Sequence, residues 1–130
     1  MAAGFLIDTN IFLEILLEQD RWKLCERTLE EHLGDSAMTD FAFHSIGVAL
    51  FGMRKEVIYR RFLQDVLPRN DLLSLPTDHY HRVITIHETQ RLSFDDSYQL
   101  AVAEYYSLSL ISLDQHFRGI HSPSNIMLLR

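Results

Sequence analysis

The sequence contains little cysteine, proline or glycine, and no long apolar run. The single cysteine, Cys25, excludes an internal disulfide and any cysteine-based zinc site. The three prolines separate predicted elements of regular structure, and no stretch has the composition of a linker. No apolar run approaches the roughly 20 residues that cross a membrane. The first ten residues also lack the basic start of a signal peptide, so we expect a cytoplasmic protein with no membrane partner.

Positive charge is also scarce, because 12 lysines and arginines face 18 aspartates and glutamates and leave a formal net charge of −6. A protein that binds nucleic acid contacts phosphates through lysine and arginine, so this overall charge has the wrong sign for such a partner. The distribution is less unfavourable, since several basic residues lie close together in the sequence. Four of them are candidate contacts for an RNA backbone, and the alternative is a solvated helix face: Arg54, Lys55, Arg60 and Arg61.

The residues that are abundant predict an α/β fold. With 130 residues, 47% of them hydrophobic, we expect one domain over 1–130. Short β-like runs alternate with helical ones, a pattern typical of a three-layer α/β/α domain around a parallel sheet of about five short strands. The predicted strands are 5–8, 36–38, 72–75, 109–112 and 126–129. Three predicted helices cover 20–33, 55–67 and 93–106. Three others begin after N-caps, which are Asn10, then Thr39 or Asp40, and then Thr77 and Asp78.

Several carboxylates are predicted to gather at one edge of this sheet. Asp8 and Asp114 end two of the strands, Asp95 and Asp96 open a helix, and Asp40 follows the second strand. In parallel sheets, ligands bind at the carboxyl ends of the strands. Neighbouring carboxylates repel one another unless they share protons or hold cations, and oxygen ligands suit Mg²⁺ or Mn²⁺. Each acid alone is equally well explained as a helix cap or turn residue, but capping does not require all of them at one edge.

Three motifs in the sequence resemble the PIN-domain family, and most closely the VapC-type toxins of VapBC toxin–antitoxin pairs. The motifs are Asp8-Thr9-Asn10 after an apolar strand, Asp96-Ser97 at a helix start, and Ser112-Leu113-Asp114-Gln115-His116-Phe117 after a late strand. The resemblance implies a metal-dependent endoribonuclease that uses Mg²⁺ or Mn²⁺ to hydrolyse RNA. It also implies a homodimer and a cognate antitoxin protein that holds the activity off.

The resemblance also implies roles for individual residues. The acids that would hold the metal are Asp8, Asp96 and Asp114, with Asp95 as a further candidate. Thr9 and Asn10 would orient Asp8 or the scissile phosphate, and Ser112 would place a hydroxyl near the metal.

One departure from the family pattern leaves the activity open. The family usually has a glutamate at the start of the helix after the second strand, and this chain has none there. Asp40 is the nearest acid and a candidate catalytic residue. His44 lies one helical turn further on, either as a ligand or proton carrier or as a packed histidine. The alternative function is a catalytically degraded PIN domain that binds RNA or protein. A haloacid-dehalogenase-like phosphatase is disfavoured because it needs a second aspartate where Asn10 stands.

Overall fold

A central sheet of five short parallel strands organises the molecule. The computed structural model describes residues 4–130, so residues 1–3 of the expected domain lie outside the described residues. The strands are β1 (Phe5–Ile7), β2 (Ser36–Thr39), β3 (Asp71–Leu73), β4 (Ser109–Ser112) and β5 (Ile126–Leu128). Their order in the sheet is β3-β2-β1-β4-β5, and every neighbouring pair is parallel.

Helices cover both faces of this sheet and complete the three layers, so the predicted α/β/α architecture is confirmed. They are α1 (Thr9–Leu16), α2 (Trp22–Glu31), α3 (Asp40–Gly52), α4 (Glu56–Arg61), α5 (Tyr80–Gln90) and α6 (Phe94–Tyr105). In the described part of the chain, none of them combines the length and apolar character that a membrane crossing requires.

Alternation along the strands divides the core into two halves. Successive side chains of a strand point to opposite faces. Leu6 and Leu110 therefore belong to a cluster beneath α5 and α6, whereas Ile7 and Ile111 belong to a second cluster with α1 to α4. All four side chains are fully buried. This burial on both faces explains why the strands read as continuous apolar runs in the sequence.

The ends of several helices differ from the sequence-based prediction. The N-cap of α1 is Asp8 rather than Asn10, because the Asp8 carboxylate accepts a hydrogen bond from the Thr9 N–H. Helix α2 begins at Trp22 without a side-chain cap, two residues after Asp20. Helix α4 ends at Arg61, and the chain continues as a π-helical segment over Phe62–Val66 and a 3₁₀ turn over Leu67–Arg69 that contains Pro68.

The strand order places a topological switch between β1 and β4. The chain builds outward from β1 to β2 and β3, and then returns to add β4 on the other side of β1. Crevices that bind ligands form at such switch points, outside the carboxyl ends of the strands. Ile7 is paired with Ile111, and the Asp8 N–H donates to the Ile111 carbonyl over 2.9 Å. The register therefore places Asp8 beside Ser112 at the ends of the two strands.

Candidate metal and active site

Asp8 is a buried carboxylate whose two oxygens both accept hydrogen bonds. Its residue exposure is only 5%. Oδ1 accepts from the Thr9 N–H over 2.8 Å and from Gln99 Nε2 over 3.0 Å. Oδ2 accepts from the Ser112 hydroxyl over 2.7 Å and from Asn10 Nδ2 over 3.3 Å. The three shorter bonds fix the orientation of the side chain, whereas the Asn10 contact is longer than an ordinary N–H···O bond and leaves Oδ2 the less fully engaged oxygen.

The predicted orienting residues Asn10 and Ser112 both join α1 to the end of β4. Asn10 Oδ1 accepts from the Leu113 N–H over 3.1 Å, and Ser112 Oγ accepts from the Asp114 N–H over 2.9 Å. The loop that holds Asp114 is therefore fixed relative to Asp8. Thr9 contributes through its N–H. Among the described residues, its buried hydroxyl oxygen has no hydrogen-bond partner.

Asp96, Asp114 and His116 form a cluster, called here the acidic cluster, at the same edge of the sheet. Each offers one ligand atom, and these atoms all lie within 4.8 Å of one another. His116 Nδ1 is 3.1 Å from an Asp114 oxygen and 3.7 Å from an Asp96 oxygen. The two carboxylates are oxygen ligands that suit Mg²⁺ or Mn²⁺, whereas an imidazole is more typical of Zn²⁺ or Fe²⁺ sites.

The electrostatics of these acids also fit a divalent cation. Burial raises the pKa of Asp96 to about 6, and repulsion from Asp114 and Asp8 adds to the effect. Burial likewise raises the pKa of Asp8, although Gln99 and Ser112 oppose this by hydrogen bonding. Within residues 4–130, no lysine or arginine forms an ion pair with any of the three aspartates. The site therefore concentrates negative charge that the described side chains leave without a strong cationic partner.

Three predicted site residues lie apart from the acidic cluster. Asp95 is exposed. Asp40 is exposed too, and its carboxylate accepts a hydrogen bond from the Tyr98 hydroxyl over 2.7 Å. Asp40 and His44 line an open groove whose other walls are aromatic: Phe41, Tyr80, Phe94 and Tyr98. Among the described residues, neither Asp40 nor His44 hydrogen-bonds to Asp8 or to the cluster. Asp40 and His44, one helical turn apart at the start of α3, therefore both face this groove, and their catalytic roles stay predictions.

Two residues of the site were missed by the sequence reasoning. Gln99 is 1% exposed and lies inside an unbroken run of buried residues in α6. It lies three positions after Asp96, which places both on neighbouring parts of one helix face. The available signal in the sequence was an amide directly before the apolar run 100–103, since a polar group that is buried with such a run needs partners. His116 lies two residues after Asp114, inside the motif already quoted.

The four basic candidates lie far from the acids. Arg54 and Lys55 follow the C-terminal end of α3, whereas Asp40 opens that helix. Thirteen residues of helix span about 20 Å, so this basic surface is separated from the site edge by the length of α3. Arg60 and Arg61 lie in the last turn of α4, and all four side chains are exposed. Their role in RNA binding stays a prediction.

The sequence matches a known protein family over the segment that carries these acids. The PIN domain family matches residues 5–121, which is most of the chain. The chain belongs to the PIN domain family. PIN domains are generally nucleases, and these nucleases use divalent metals, which agrees with the acidic cluster at the switch point of this PIN domain.

Solved structures share the fold over nearly the whole length of this PIN domain. A toxin–antitoxin complex from Klebsiella pneumoniae aligns with 23% identity and a TM-score of 0.74, covering 95% of this chain and 100% of the other. VapBC2 from Rickettsia felis, bound to a promoter DNA fragment, aligns with 13% identity and a TM-score of 0.74 over 100% of both chains. VapBC-1 from nontypeable Haemophilus influenzae aligns with 18% identity and a TM-score of 0.73 over 98% of both. No curated protein sequence matches the chain.

Proposed function

We propose that this PIN domain is a divalent-metal-dependent endoribonuclease and the toxin of a type II toxin–antitoxin pair. The observation that supports the proposal most strongly is the acidic cluster beside the buried Asp8, at the switch point between β1 and β4. Family membership makes a nuclease the expected activity, whereas the RNA substrate and the metal dependence are part of the proposal.

The residues that would hold Mg²⁺ or Mn²⁺ are the carboxylates Asp96 and Asp114, with Asp8 as the deeper carboxylate, and the His116 imidazole lies beside them. When bound, a divalent cation polarises a phosphodiester and lowers the pKa of water. The chain supplies the negative charge and the fixed geometry for this chemistry. Because the acids repel one another without a counter-charge, the site is preorganised to favour a cation over water.

Ser112 would act as an orienting group. Its hydroxyl donates to Asp8 Oδ2, and its oxygen accepts from the Asp114 N–H. The Ser112 hydroxyl thus links the two segments that carry Asp8 and Asp114. Asn10 would have the same orienting role through Asp8 and Leu113. The Thr9 hydroxyl is buried, so Thr9 would act on Asp8 through its N–H.

An antitoxin protein and a second copy of this chain are the proposed partners. Large apolar side chains are exposed near the α3–α4 connection, at Val48, Phe51, Met53 and Val57, and such a patch supports a protein contact. Unlike these exposed side chains, Ile11 and Phe12 of α1 are buried in the chain's own core and are not part of the proposed contact surface. A mass measurement of the purified chain by light scattering tests the dimer, and a monomer at all concentrations would contradict it.

The first experiment is RNA cleavage by the purified protein with Mn²⁺ or Mg²⁺, against the same reaction in EDTA. We expect cleavage only with the metal. Asp96→Asn keeps the size of the side chain but removes a charge from the acidic cluster, and we expect it to lower the cleavage rate by roughly 100-fold or more. Asp95→Asn is the matched control, because it changes the adjacent exposed acid, and we expect it to retain cleavage.

Two results would contradict this proposal. Absence of cleavage by the folded protein across several RNAs would favour a PIN domain that binds RNA or protein without cutting. An equal loss of cleavage in Asp95→Asn and Asp96→Asn would show that general negative charge, and not the acidic cluster, supports the activity.

A further inference from the structure

A continuous series of hydrogen bonds connects the start of α3 to Asp8. The Ala42 N–H donates to Thr39 Oγ1 over 2.9 Å, and the Thr39 hydroxyl donates to Gln99 Oε1 over 2.6 Å. Gln99 Nε2 then donates to Asp8 Oδ1 over 3.0 Å. Every hydrogen bond in the series has the same donor-to-acceptor direction, and successive bonds of this kind strengthen one another.

The orientation of the Gln99 amide follows from its two neighbours. Asp8 can only accept when ionised, so it requires the NH₂ group of the amide. The Thr39 hydroxyl accepts from the Ala42 N–H and still has its own proton, which it donates to the amide oxygen. Thr39 is fully buried and Gln99 is 1% exposed, so water does not compete for these groups. The amide is therefore held in one orientation by partners from two other segments.

The series has a specific effect on Asp8. The Thr9 N–H and Gln99 together occupy Oδ1, which fixes this oxygen toward α1 and α6. Oδ2 is left on the side of β4, where its partners are Ser112 and the longer contact with Asn10. Asp114 follows β4, so the fixed rotamer presents Oδ2 toward the strand that carries the acidic cluster's second carboxylate.

We propose that Gln99, held by Thr39, is a positioning residue that fixes the Asp8 carboxylate for cation binding. It does so on the side of the site where α3 supplies no carboxylate to the acidic cluster. The proposal rests on the proposed function only for its effect on RNA cleavage. The effect on cation binding is independent of any substrate. The alternative is that Gln99 has only a structural role. Its loss would then lower the free energy of unfolding and leave the affinity for the cation unchanged.

The decisive variant is Gln99→Met, which keeps the length of the side chain and removes both of its hydrogen bonds. We measure the Mn²⁺ dissociation constant of the folded protein by electron paramagnetic resonance, together with the turnover number and KM for RNA. Residues that orient metal ligands change metal affinity by about 10- to 100-fold, so we expect the Mn²⁺ dissociation constant to rise by about tenfold. We expect turnover to fall by a similar factor, with KM almost unchanged.

Thr28→Val is the matched control for loss of a buried hydrogen bond. The Thr28 hydroxyl donates to the Leu24 carbonyl within α2 and has no contact with the site. We expect it to lower the melting temperature and to leave Mn²⁺ affinity and turnover unchanged. Thr39→Val should weaken Mn²⁺ binding and add little further loss to Gln99→Met, because both act through one series of bonds. Thr39→Ser, which keeps the hydroxyl, should restore most of the affinity.

The outcomes separate this proposal from the proposed function. Weaker Mn²⁺ binding in Gln99→Met supports the positioning role even if the wild-type protein cleaves none of the RNAs, and in that case only the ribonuclease proposal fails. Equal Mn²⁺ affinity in Gln99→Met and the wild type, with Gln99→Met losing only stability, overturns the positioning role. A wild-type protein that binds no Mn²⁺ overturns both proposals.

Discussion

At the scale of single residues, Asp96 is in electrostatic conflict with its surroundings, because burial and neighbouring negative charges both disfavour its ionised form. Its side chain is 15% exposed, and its pKa of about 6 lies well above the ordinary 3.8. Burial is the main cause, and the charges of Asp114 and Asp8 add to it. An acid whose pKa is raised by folding destabilises the folded state when it is ionised. The same conflict makes the residue suitable for a cation, which would relieve it.

This conflict predicts a pH-dependent gain of stability in Asp96→Asn. In the wild type without metal, the folded state binds the proton more tightly than the unfolded state, so stability falls as pH rises from about 4 to about 6. Asp96→Asn removes this loss, and we expect it to be more stable by up to about 3 kcal/mol near pH 7.5 and about equal near pH 4. Urea denaturation in EDTA measures the difference. Asp95→Asn should show no such gain, and an Asp96→Asn variant that is less stable near pH 7.5 would refute the prediction.

At the scale of elements, the N-terminal turns of α3 and α6 are joined by two adjacent pairs of side chains. Thr39 contacts Gln99 on the side of Asp8, and Asp40 contacts Tyr98 on the side of the aromatic groove. The Tyr98 hydroxyl also accepts from the Leu75 N–H over 3.1 Å. Burial and the hydrogen bond to Asp40 raise the pKa of Tyr98, so this hydroxyl remains a donor at physiological pH. The second pair therefore fixes Asp40 at the groove.

Removing the Tyr98 hydroxyl tests the structural role of this second pair. Tyr98→Phe leaves the buried Leu75 N–H without its acceptor, so we expect the free energy of unfolding to fall by about 1–2 kcal/mol. We expect Mn²⁺ affinity to change little, because Asp40 lies apart from the acidic cluster. Tyr105→Phe, at an exposed position of the same helix, is the control and should alter stability by less than about 0.5 kcal/mol. A large loss of Mn²⁺ affinity in Tyr98→Phe would return Asp40 to the metal site.

At the scale of the whole molecule, charge is distributed unevenly around a net −6. The acids of the site are at the carboxyl edge of the sheet, whereas Arg54, Lys55, Arg60 and Arg61 are at the far end of α3 and on α4. A long RNA could reach both regions, but a short one could not. Under the proposed function, we expect RNA binding to depend strongly on salt only where the RNA engages the basic surface.

The double variant Arg60→Gln/Arg61→Gln separates these two modes of RNA binding. Each lost phosphate contact weakens RNA binding at low salt, so we expect KM to rise several-fold for an RNA of about 20 nucleotides. A substrate of about four nucleotides bound at the acids alone should keep its KM. Lys23→Gln, an exposed basic position on α2, is the control. An unchanged KM for the longer RNA would limit these arginines to a solvated helix face.

Much of this protein was determined by its sequence alone. The alternation of short apolar runs with amphipathic segments predicted the parallel α/β/α sheet, because parallel strands buried on both faces require helical crossovers. Asp8, Asp96 and Asp114 were predicted site residues because they lie after a strand or in the first turn of a helix and match motifs of the PIN-domain family, and their metal-binding roles stay predictions. The boundaries of α2 and α4 were less predictable, since several residues there could serve as a cap and local turns decided among them.

The surroundings of those acids depend on contacts between distant parts of the chain. The strand order, with β4 beside β1, cannot be read from the sequence, and it is what brings Ser112 to Asp8. Gln99 is separated from Asp8 by 91 positions, so a hydrogen bond between them depends on how α6 packs against β1. The orientation of the first two turns of α3 likewise places Asp40 and His44 at the aromatic groove. Local pattern fixes which residues end a strand, whereas long-range packing determines which of them meet.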